Sequence, residues 1–418
     1  MRIFFSVGEP SGDLHGANLI RRLKSRDAAI ECVGFGGPKM QAAGCDLHFD
    51  LTSLAVMFLA SVLKNIRLFF RLIAQANHYF ENHQVDAVVL IDYAGFNWWI
   101  ARKAKKHGIP VFFYGVPQVW AWAPWRIRKI RKLVDHVLCK LPFEAQWFTE
   151  RNCHATYVGH PYFDQLASQE YDFGLVERIA GKNNRLITLL PGSRDQEVRN
   201  ILPILLDTAK FTLQEDETCR FAVAFYNERQ RQMSSKLIAE SKVPIEVYVG
   251  KTPELMQAAY ACVACSGSVS LELLHYRKPT VIVFKVRRWV MVAQAFLLRV
   301  KFITLVNLIA AKDIRRRKFR LYNPDDPNAE SCVMPEYLTA GDPSVKVARR
   351  VLGWLKDVQS HSENVAELDR LAVRYTQPGA TSRAADYLLG VLCDGRSTEG
   401  GRDDGGSPPT EQAAEVAA

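Results

Sequence analysis

The stretch Leu186–Asn200, LITLLPGSRDQEVRN, constrains this chain more than any other. A strongly apolar run from Leu186 to Leu190 stops at Pro191-Gly192-Ser193-Arg194, and a helix-forming segment begins at once. A short apolar run closed by proline and glycine predicts strand, tight turn and helix. Ser193 and Gln196 have capping-box spacing, so Ser193 is expected to cap the new helix while its first N–H groups stay free. Free N–H groups, a glycine and Arg194 at the carboxyl end of a strand suit a phosphate. An ordinary βα turn with a solvated arginine fits the same residues. Position adds weight, because the stretch lies near mid-chain and opens an α/β half resembling the one before it.

The chain has 418 residues, 48% hydrophobic and 23% charged, enough for two domains with cores of their own. A formal net charge of +10 favours nucleic acid, anionic membrane or phosphorylated ligands without choosing among them. Nine cysteines at spacings that suggest no disulfide framework point to a reducing cytoplasm. Cys262-Val263-Ala264-Cys265 sits inside an apolar run with no second ligand pair, and reads as small buried hydrophobes. The opening MRIFFSVGEPSGD does not have the pattern of a signal peptide. Leu51–Leu63 and Trp289–Leu298, the longest apolar stretches, are too short to span a bilayer.

In the first half, Arg2–Val7 predicts a buried strand, and GEPSGD a turn into a helix over Leu14–Lys24 that Ser11 and Asp13 can cap. A second strand, Glu31–Phe35, leads into Gly34-Phe35-Gly36-Gly37, which is not a dinucleotide fingerprint. Leu51–Tyr79 carries Val56, Met57, Phe58, Leu59, Leu63, Phe69 and Phe70 beside Lys64, Arg67 and Arg71. It reads either as a core helix or as a membrane-surface helix with basic residues at the headgroups. The strand Val85–Ile91 ends at Asp92, a carboxylate where α/β proteins place chemistry, although an N-cap or turn role fits it too. After the strand Val111–Gly115, Trp120 and Trp122 precede Arg126, Arg128, Lys129, Arg131 and Lys132. That pattern suits base stacking or the wall of a site for a phosphorylated, acylated ligand. Asp135–Cys139 and Ala155–Val158 are further strands, and His160 reads as a packed linker residue.

In the second half, strands are expected at Leu186–Leu190, Arg220–Phe225, Ile245–Val249, Ala261–Cys265 and Thr280–Phe284. Their alternation with helical intervals implies a parallel sheet with right-handed crossovers. Gly250-Lys251-Thr252 lacks the earlier glycine of a phosphate-binding loop, since position 245 is Ile245. Ser266-Gly267-Ser268 delivers hydroxyls and N–H groups to a helix start, where a pyrophosphate could sit, and Glu272 is spaced to accept from ribose hydroxyls. Arg287–Lys301 is apolar with basic ends, a candidate interfacial helix. Lys312–Arg320 reads as a solvated basic loop, Ser344–Leu392 as helical, and the residues past Asp394 as a disordered tail.

Together GEPSGDLHGANLIRRLK, GFGGPKMQAAGCDL, LAVMFLASVL, LIDYAGFN, PQVWAWAPWRIRKI, LPFE, YVGHP, LLPGSRDQEV, SGSVSLELL and PGATSRAADYLL resemble the lipid-A-disaccharide synthase family of GT-B glycosyltransferases. The resemblance runs from Arg2 to Leu392. It implies an α/β fold of two facing Rossmann-like domains with parallel sheets, and a C-terminal helix returning towards the N-terminal domain. The expected bounds are residues 1–165 for the acceptor-side domain, 166–394 for the nucleotide-binding domain and 395–418 for the tail. It implies transfer of 2,3-diacylglucosamine from its UDP donor to 2,3-diacylglucosamine 1-phosphate (lipid X), giving the β-1,6 disaccharide 1-phosphate. It further implies a Gram-negative source and peripheral attachment to the cytoplasmic face of the inner membrane, and leaves a homodimer open.

By the same resemblance Asp92 falls on the catalytic aspartate, and Glu9, Ser11 and Asn97 lie in acceptor-side motifs. Arg194, Ser266, Gly267, Ser268, Glu272 and Asn307 fall in nucleotide-side motifs. Gly95 stands where members often have Asp or Pro, Val306 where they have proline, and Lys312–Cys332 reads as an insertion. The expected mechanism is an inverting single displacement, with Asp92 as base or as the residue orienting it. No metal or other cofactor is expected, and the sequence contains no D-x-D triplet. A GT-B transferase or epimerase acting on another UDP-sugar is the alternative. An RNA-binding protein is a second rival, one that leaves the two phosphate turns without a purpose, so no nucleic-acid partner is expected.

Overall fold

The computed structural model describes residues 1–55, 66–181, 185–316 and 321–399. Two sheets carry the chain. The first contains β1 (Arg2–Val7), β2 (Glu31–Gly36), β3 (Cys45–Asp50), β4 (Ala87–Ile91), β5 (Val111–Tyr114), β6 (His136–Cys139) and β7 (Ala155–Tyr157), ordered β3-β2-β1-β4-β5-β6-β7. The second contains β8 (Leu186–Leu190), β9 (Arg220–Phe225), β10 (Ile245–Val249), β11 (Ala261–Cys265), β12 (Thr280–Lys285) and β13 (Glu336–Thr339), ordered β10-β9-β8-β11-β12-β13. Adjacent strands pair in parallel. This is the doubly wound arrangement that the β-α alternation predicts. In each sheet the order reverses once, between β1 and β4 and between β8 and β11.

Packing divides the chain into two compact units, Met1–Tyr114 with the chain from Thr381 onward, and Gly115–Ala380. The last described helix, Ala380–Glu399, thus joins the N-terminal unit, and Arg26 of the first helix is 2.9 Å from its Asp386. That helix runs past Asp394, where disorder is expected, while residues 400–418 lie outside the described residues.

The inner strands β1, β4, β8 and β11 are apolar because both of their faces are covered. In the second unit Ile187, Leu189, Val263 and Val281 pack with Val198, Ile201, Leu202 and Leu205 of the helix Asp195–Glu215. Val347 and Val351 of the helix Ser344–Lys356 complete that core. Two strands escape the sequence pattern: β3 is an edge strand holding Asp46 and His48, and β13 begins with a buried glutamate. Of the ambiguous stretch Leu51–Tyr79, residues 56–65 lie outside the described residues, taking Val56, Met57, Phe58, Leu59, Leu63 and Lys64 with them. The helix Ile66–Asn82 buries Leu72, Ile73, Ala76 and Phe80 and leaves Ile66 and Phe70 exposed. The described part is therefore a core helix with an apolar, uncovered start.

The first helix, Pro10–Arg26, has Glu9 rather than Ser11 or Asp13 at its N-cap position, and no side chain caps it there. Asp13 lies inside it, buried, and caps a different element. Its carboxylate accepts from the backbone N–H groups of Gly37 (3.1 Å), Lys39 (3.0 Å) and Met40 (3.0 Å) at the start of the helix Pro38–Ala42. A methyl group at Gly37 would come within 2.7 Å of that carboxylate, which explains the last glycine of the GFGG run. Replacing Asp13 by Ala orphans buried donors, so the unfolding free energy should drop by about 2–3 kcal/mol. Asp13→Asn keeps one acceptor and should cost less; equal denaturation midpoints for wild type and both variants would contradict the assignment.

Candidate active site

At the carboxyl end of β4 the backbone turns through two left-handed residues, Asp92 (φ 49) and Tyr93 (φ 42). Tyr93, not Asp92, is the N-cap of the helix Ala94–Lys106. Left-handed backbone costs a non-glycine residue roughly 1–2 kcal/mol, so this turn has to be held from outside. Asn97 holds it. Its Nδ2 donates to the carbonyls of Asp92 (2.9 Å), Ser6 (3.1 Å) and Ile91 (3.3 Å), while Ser6 Oγ donates to its Oδ1 at 2.6 Å. The Asn97 side chain is fully buried. Expected among the residues that touch substrate, it instead ties the ends of β1 and β4 to the turn that carries Asp92.

The glycines of GEPSGD make room for the same turn. A methyl group on Gly8 would come 2.2 Å from the Tyr93 ring, and one on Gly12 would be 3.4 Å from Asp92 Oδ2. Asp92 therefore lies over the first turn of the helix Pro10–Arg26, beside Glu9 and Ser11, which are exposed. Burial raises the Tyr93 phenol above its usual range, and the Glu9 charge adds to that. Among the described residues no atom lies within 4 Å of where a Gly95 side chain would begin.

The second reversal point forms a cavity of about 560 Å³, within the range of small-ligand sites. Gly192, Ser193, Arg194 and Glu197 come from the β8 turn, and Ser266, Gly267, Ser268 and Glu272 from the β11 turn. Five of the expected residues, Arg194, Ser266, Gly267, Ser268 and Glu272, thus share one site. The β8 turn differs in detail from the expected capping box. The N-cap is Arg194, and the N–H groups of Ser193 and Arg194 both donate to Glu197 Oε2 at 3.1 Å. A carboxylate of the chain itself thus holds the two N–H groups that precede the helix. Glu197 reaches them because Gly192 (φ 118) has no side chain, a methyl there lying 2.7 Å from the carboxylate. The Arg194 guanidinium, 82% exposed and 3.2 Å from Glu197, is presented beside that turn. Gln230, buried, braces this loop: its Nε2 donates to Ser193 O (2.8 Å) and its Oε1 accepts from Tyr226 N (3.1 Å).

Across the cavity, burial raises the Glu272 carboxyl above the usual carboxylate range, and a hydrogen bond from Tyr162 acts in the opposite direction. Tyr162 Oη donates to Glu272 Oε2 at 3.0 Å. No sequence pattern marks Tyr162 or Glu197 as site residues, though Glu197 stands at the N3 position where capping glutamates occur.

Other expected residues lie elsewhere. Asn307 is buried outside the cavity lining: its Nδ2 donates to Met334 O (2.7 Å) and Glu336 Oε2 (3.0 Å), and its Oδ1 accepts from Met334 N (2.9 Å). Glu336 also accepts from the N–H groups of Ile303 and Thr304 at the start of the helix Leu305–Ala310, and burial raises its carboxyl. Trp120 is buried, its Nε1 donating to Glu144 at 3.0 Å, so only Trp122 of the pair is exposed, beneath Arg126. His160 packs against Tyr162 and Phe163. Cys262 and Cys265 are buried in β11, where desolvation pushes both thiols up to about 12. The basic run from Lys312 departs from a solvated loop, because Lys301 N–H donates to Ile314 O at 2.9 Å and Arg316 N–H to Arg299 O at 2.9 Å. Residues 317–320 of that run lie outside the described residues.

A profile of the lipid-A-disaccharide synthetase family matches residues 3–323. The chain is 32% identical over 397 residues to the lipid-A-disaccharide synthase of Syntrophus aciditrophicus, covering 93% of this chain and 97% of that protein. It is 31% identical over 398 residues to the one from Myxococcus xanthus, covering 94% and 98%. Among solved structures it resembles a UDP-GlcNAc 2-epimerase from Neisseria meningitidis bound to UDP-GlcNAc, with a TM-score of 0.56 and 12% identity over 93% of this chain and 100% of that one. An S. aureus MnaA–UDP co-structure gives a TM-score of 0.59 at 12% identity, over 94% and 96%. At these identities the structures share the fold alone.

The Asn97 network generates a direct test. Asn97→Ala leaves the carbonyls of Ser6, Ile91 and Asp92 unpaired and should destabilise the fold by about 2–4 kcal/mol. Asn97→Asp cannot donate from its carboxylate and should fare no better. A variant with an unchanged urea midpoint would show that the left-handed turn needs no brace.

Proposed function

The chain belongs to the lipid-A-disaccharide synthetase family, and from that premise we propose how its residues perform the transfer. The donor is UDP-2,3-diacylglucosamine, the acceptor 2,3-diacylglucosamine 1-phosphate, and the products are the β-1,6-linked disaccharide 1-phosphate and UDP. The observation that carries this reading is the cavity at the β8/β11 reversal, where Arg194, the Ser266–Ser268 turn and Glu272 line one space. A nucleoside diphosphate has matching groups. Its charge suits the guanidinium and the serine hydroxyls, and its ribose hydroxyls suit the carboxylate.

The reaction is an inverting single displacement. Asp92, on its left-handed turn, takes the proton from the acceptor 6-hydroxyl as that oxygen attacks the anomeric carbon. The bond from that carbon to the diphosphate breaks, and its electron pair leaves with UDP. Arg194 and the Ser266–Ser268 turn meet the charge growing on the diphosphate. Glu9 and Ser11, exposed beside Asp92, are placed to hydrogen-bond the acceptor sugar or its phosphate.

The acyl chains give a purpose to uncovered apolar surface. The helix Arg288–Leu297 buries none of its residues, and Trp289, Val292, Phe296 and Leu297 are more than half exposed. Arg299 N–H donates to Ala121 O at 2.7 Å, which brings this segment beside the exposed Trp122 and Trp125 and the cation of Arg126. Among the described residues no helix is long and apolar enough to cross a membrane. An apolar face with tryptophans and a basic rim suits the headgroup boundary of an anionic bilayer, so we place this surface on the cytoplasmic face of the inner membrane.

Four outcomes are expected. With detergent or lipid present, the protein should convert the UDP-diacylglucosamine and its 1-phosphate acceptor to disaccharide; conversion of UDP-N-acetylglucosamine instead would favour a transferase or epimerase acting on a soluble sugar. Arg194→Ala should weaken UDP binding by about tenfold, the effect of one charged contact, and unchanged kinetics would remove Arg194 from the site. UDP affinity should rise with pH through the Glu272 titration, which lies above the ordinary carboxylate range because burial favours the neutral acid. Only the ionised form accepts from both ribose hydroxyls, so Glu272→Gln should flatten the profile. For the membrane surface, Trp289→Ser with Phe296→Ser should abolish co-sedimentation with anionic vesicles while UDP binding stays intact; full co-sedimentation would locate the contact elsewhere.

A further inference from the structure

Tyr162 lines the nucleotide cavity and donates its hydroxyl to Glu272 Oε2 at 3.0 Å. It stands on a fixed element. The short helix Tyr162–Ala167 buries Phe163 and Leu166 and packs against the helix Val269–His275 that carries Glu272. Tyr162 N–H donates to His160 Nδ1 at 3.3 Å. Two residues on, Asp164 Oδ1 accepts from the N–H groups of Gly379 (2.5 Å) and Ala380 (3.1 Å), anchoring the same turn from its other side. The hydroxyl of the buried Tyr276 is engaged with Tyr171 Oη at 2.8 Å.

We infer that Tyr162 is a positioning residue for the nucleotide ribose: by holding Oε2 of Glu272 it presents Oε1 to the sugar hydroxyls. It thereby sets selectivity for a ribonucleoside diphosphate over its deoxy forms. The inference rests on the Glu272–ribose reading above. A free glutamate samples several rotamers, and a ligand that needs one of them bears the cost of selecting it. A hydroxyl delivered from a packed helix makes that selection before the ligand arrives. Removing it leaves the Glu272 carboxyl in place but unfastened, so only ligands that touch Glu272 should register the change. Burial keeps the Tyr162 phenol protonated at neutral pH, as a donor must be.

The test is calorimetric binding of UDP and of 2′,3′-dideoxy-UDP to wild type, Tyr162→Phe, Glu272→Gln and the double variant. Wild type should bind UDP more tightly than the dideoxy form. Tyr162→Phe should weaken UDP by about three- to tenfold and leave dideoxy-UDP unchanged, which also shows that the variant is folded. It should raise the donor KM without lowering kcat, and add no further loss in the Glu272→Gln background. Equal loss for both ligands, or no loss for either, overturns the inference. A wild type that binds the two ligands equally overturns the Glu272–ribose reading first, and the role of Tyr162 with it.

Discussion

A parallel sheet whose strand order reverses leaves one gap in its cover, because the helices on either side of the reversal pass to opposite faces. This chain makes that arrangement twice, at β1/β4 and at β8/β11. Nearly everything chemical follows from those two places. Strand ends there are not roofed by a helix, so the turns that leave them can carry exposed polar groups without burying unpaired ones. The first reversal presents Asp92 over the glycines of GEPSGD. The second gathers Arg194, Ser266–Ser268 and Glu272 around a cavity. The rest of each unit is core that keeps those strand ends in register.

The two turns are made rigid by different means. At β4 the chain accepts two consecutive left-handed residues, and the buried amide of Asn97 fastens their carbonyl to β1 and β4. At β8 the Glu197 carboxylate folds back over Gly192 to close the turn, leaving the arginine outside. In both cases a side chain within a few residues of the site holds the backbone in place. Holding a site through hydrogen bonds to its backbone fixes where its side chains stand, which is what preorganisation requires.

Much of this was legible in the sequence. Apolar runs closed by glycine or proline located the inner strands, with β1, β8, β9 and β11 at the residues expected, because strands covered on both faces can be little else. Of the edge strands, β10 lies at the residues expected, while β3 and β13 were harder to read. β3 mixes Asp46 and His48 into its run, and β13 starts at Glu336, a buried charge that only its partners Ile303, Thr304 and Asn307 explain. Motifs named the right residues more reliably than their tasks. Asn97 and Asn307 read as ligand contacts, yet both close backbone networks, since an amide with two donors and an acceptor serves either purpose. Asp13 looked like a cap for its own helix and caps the next one, a contact no local spacing reveals. Tyr162 reaches Glu272 from 110 positions away, and no local pattern marks so distant a partner.

The account stands on Asp92 acting at the acceptor oxygen, and one measurement reaches it most directly. Asparagine tolerates left-handed backbone, so Asp92→Asn should keep the φ 49 turn and remove only the charge. The single-turnover rate of disaccharide formation, with UDP affinity determined on the same protein, separates chemistry from binding. The expected result is a rate lower by about 10²–10⁴-fold with UDP affinity unchanged. A variant that transfers the sugar as fast as wild type would contradict the account, and the proton would have to leave by another route.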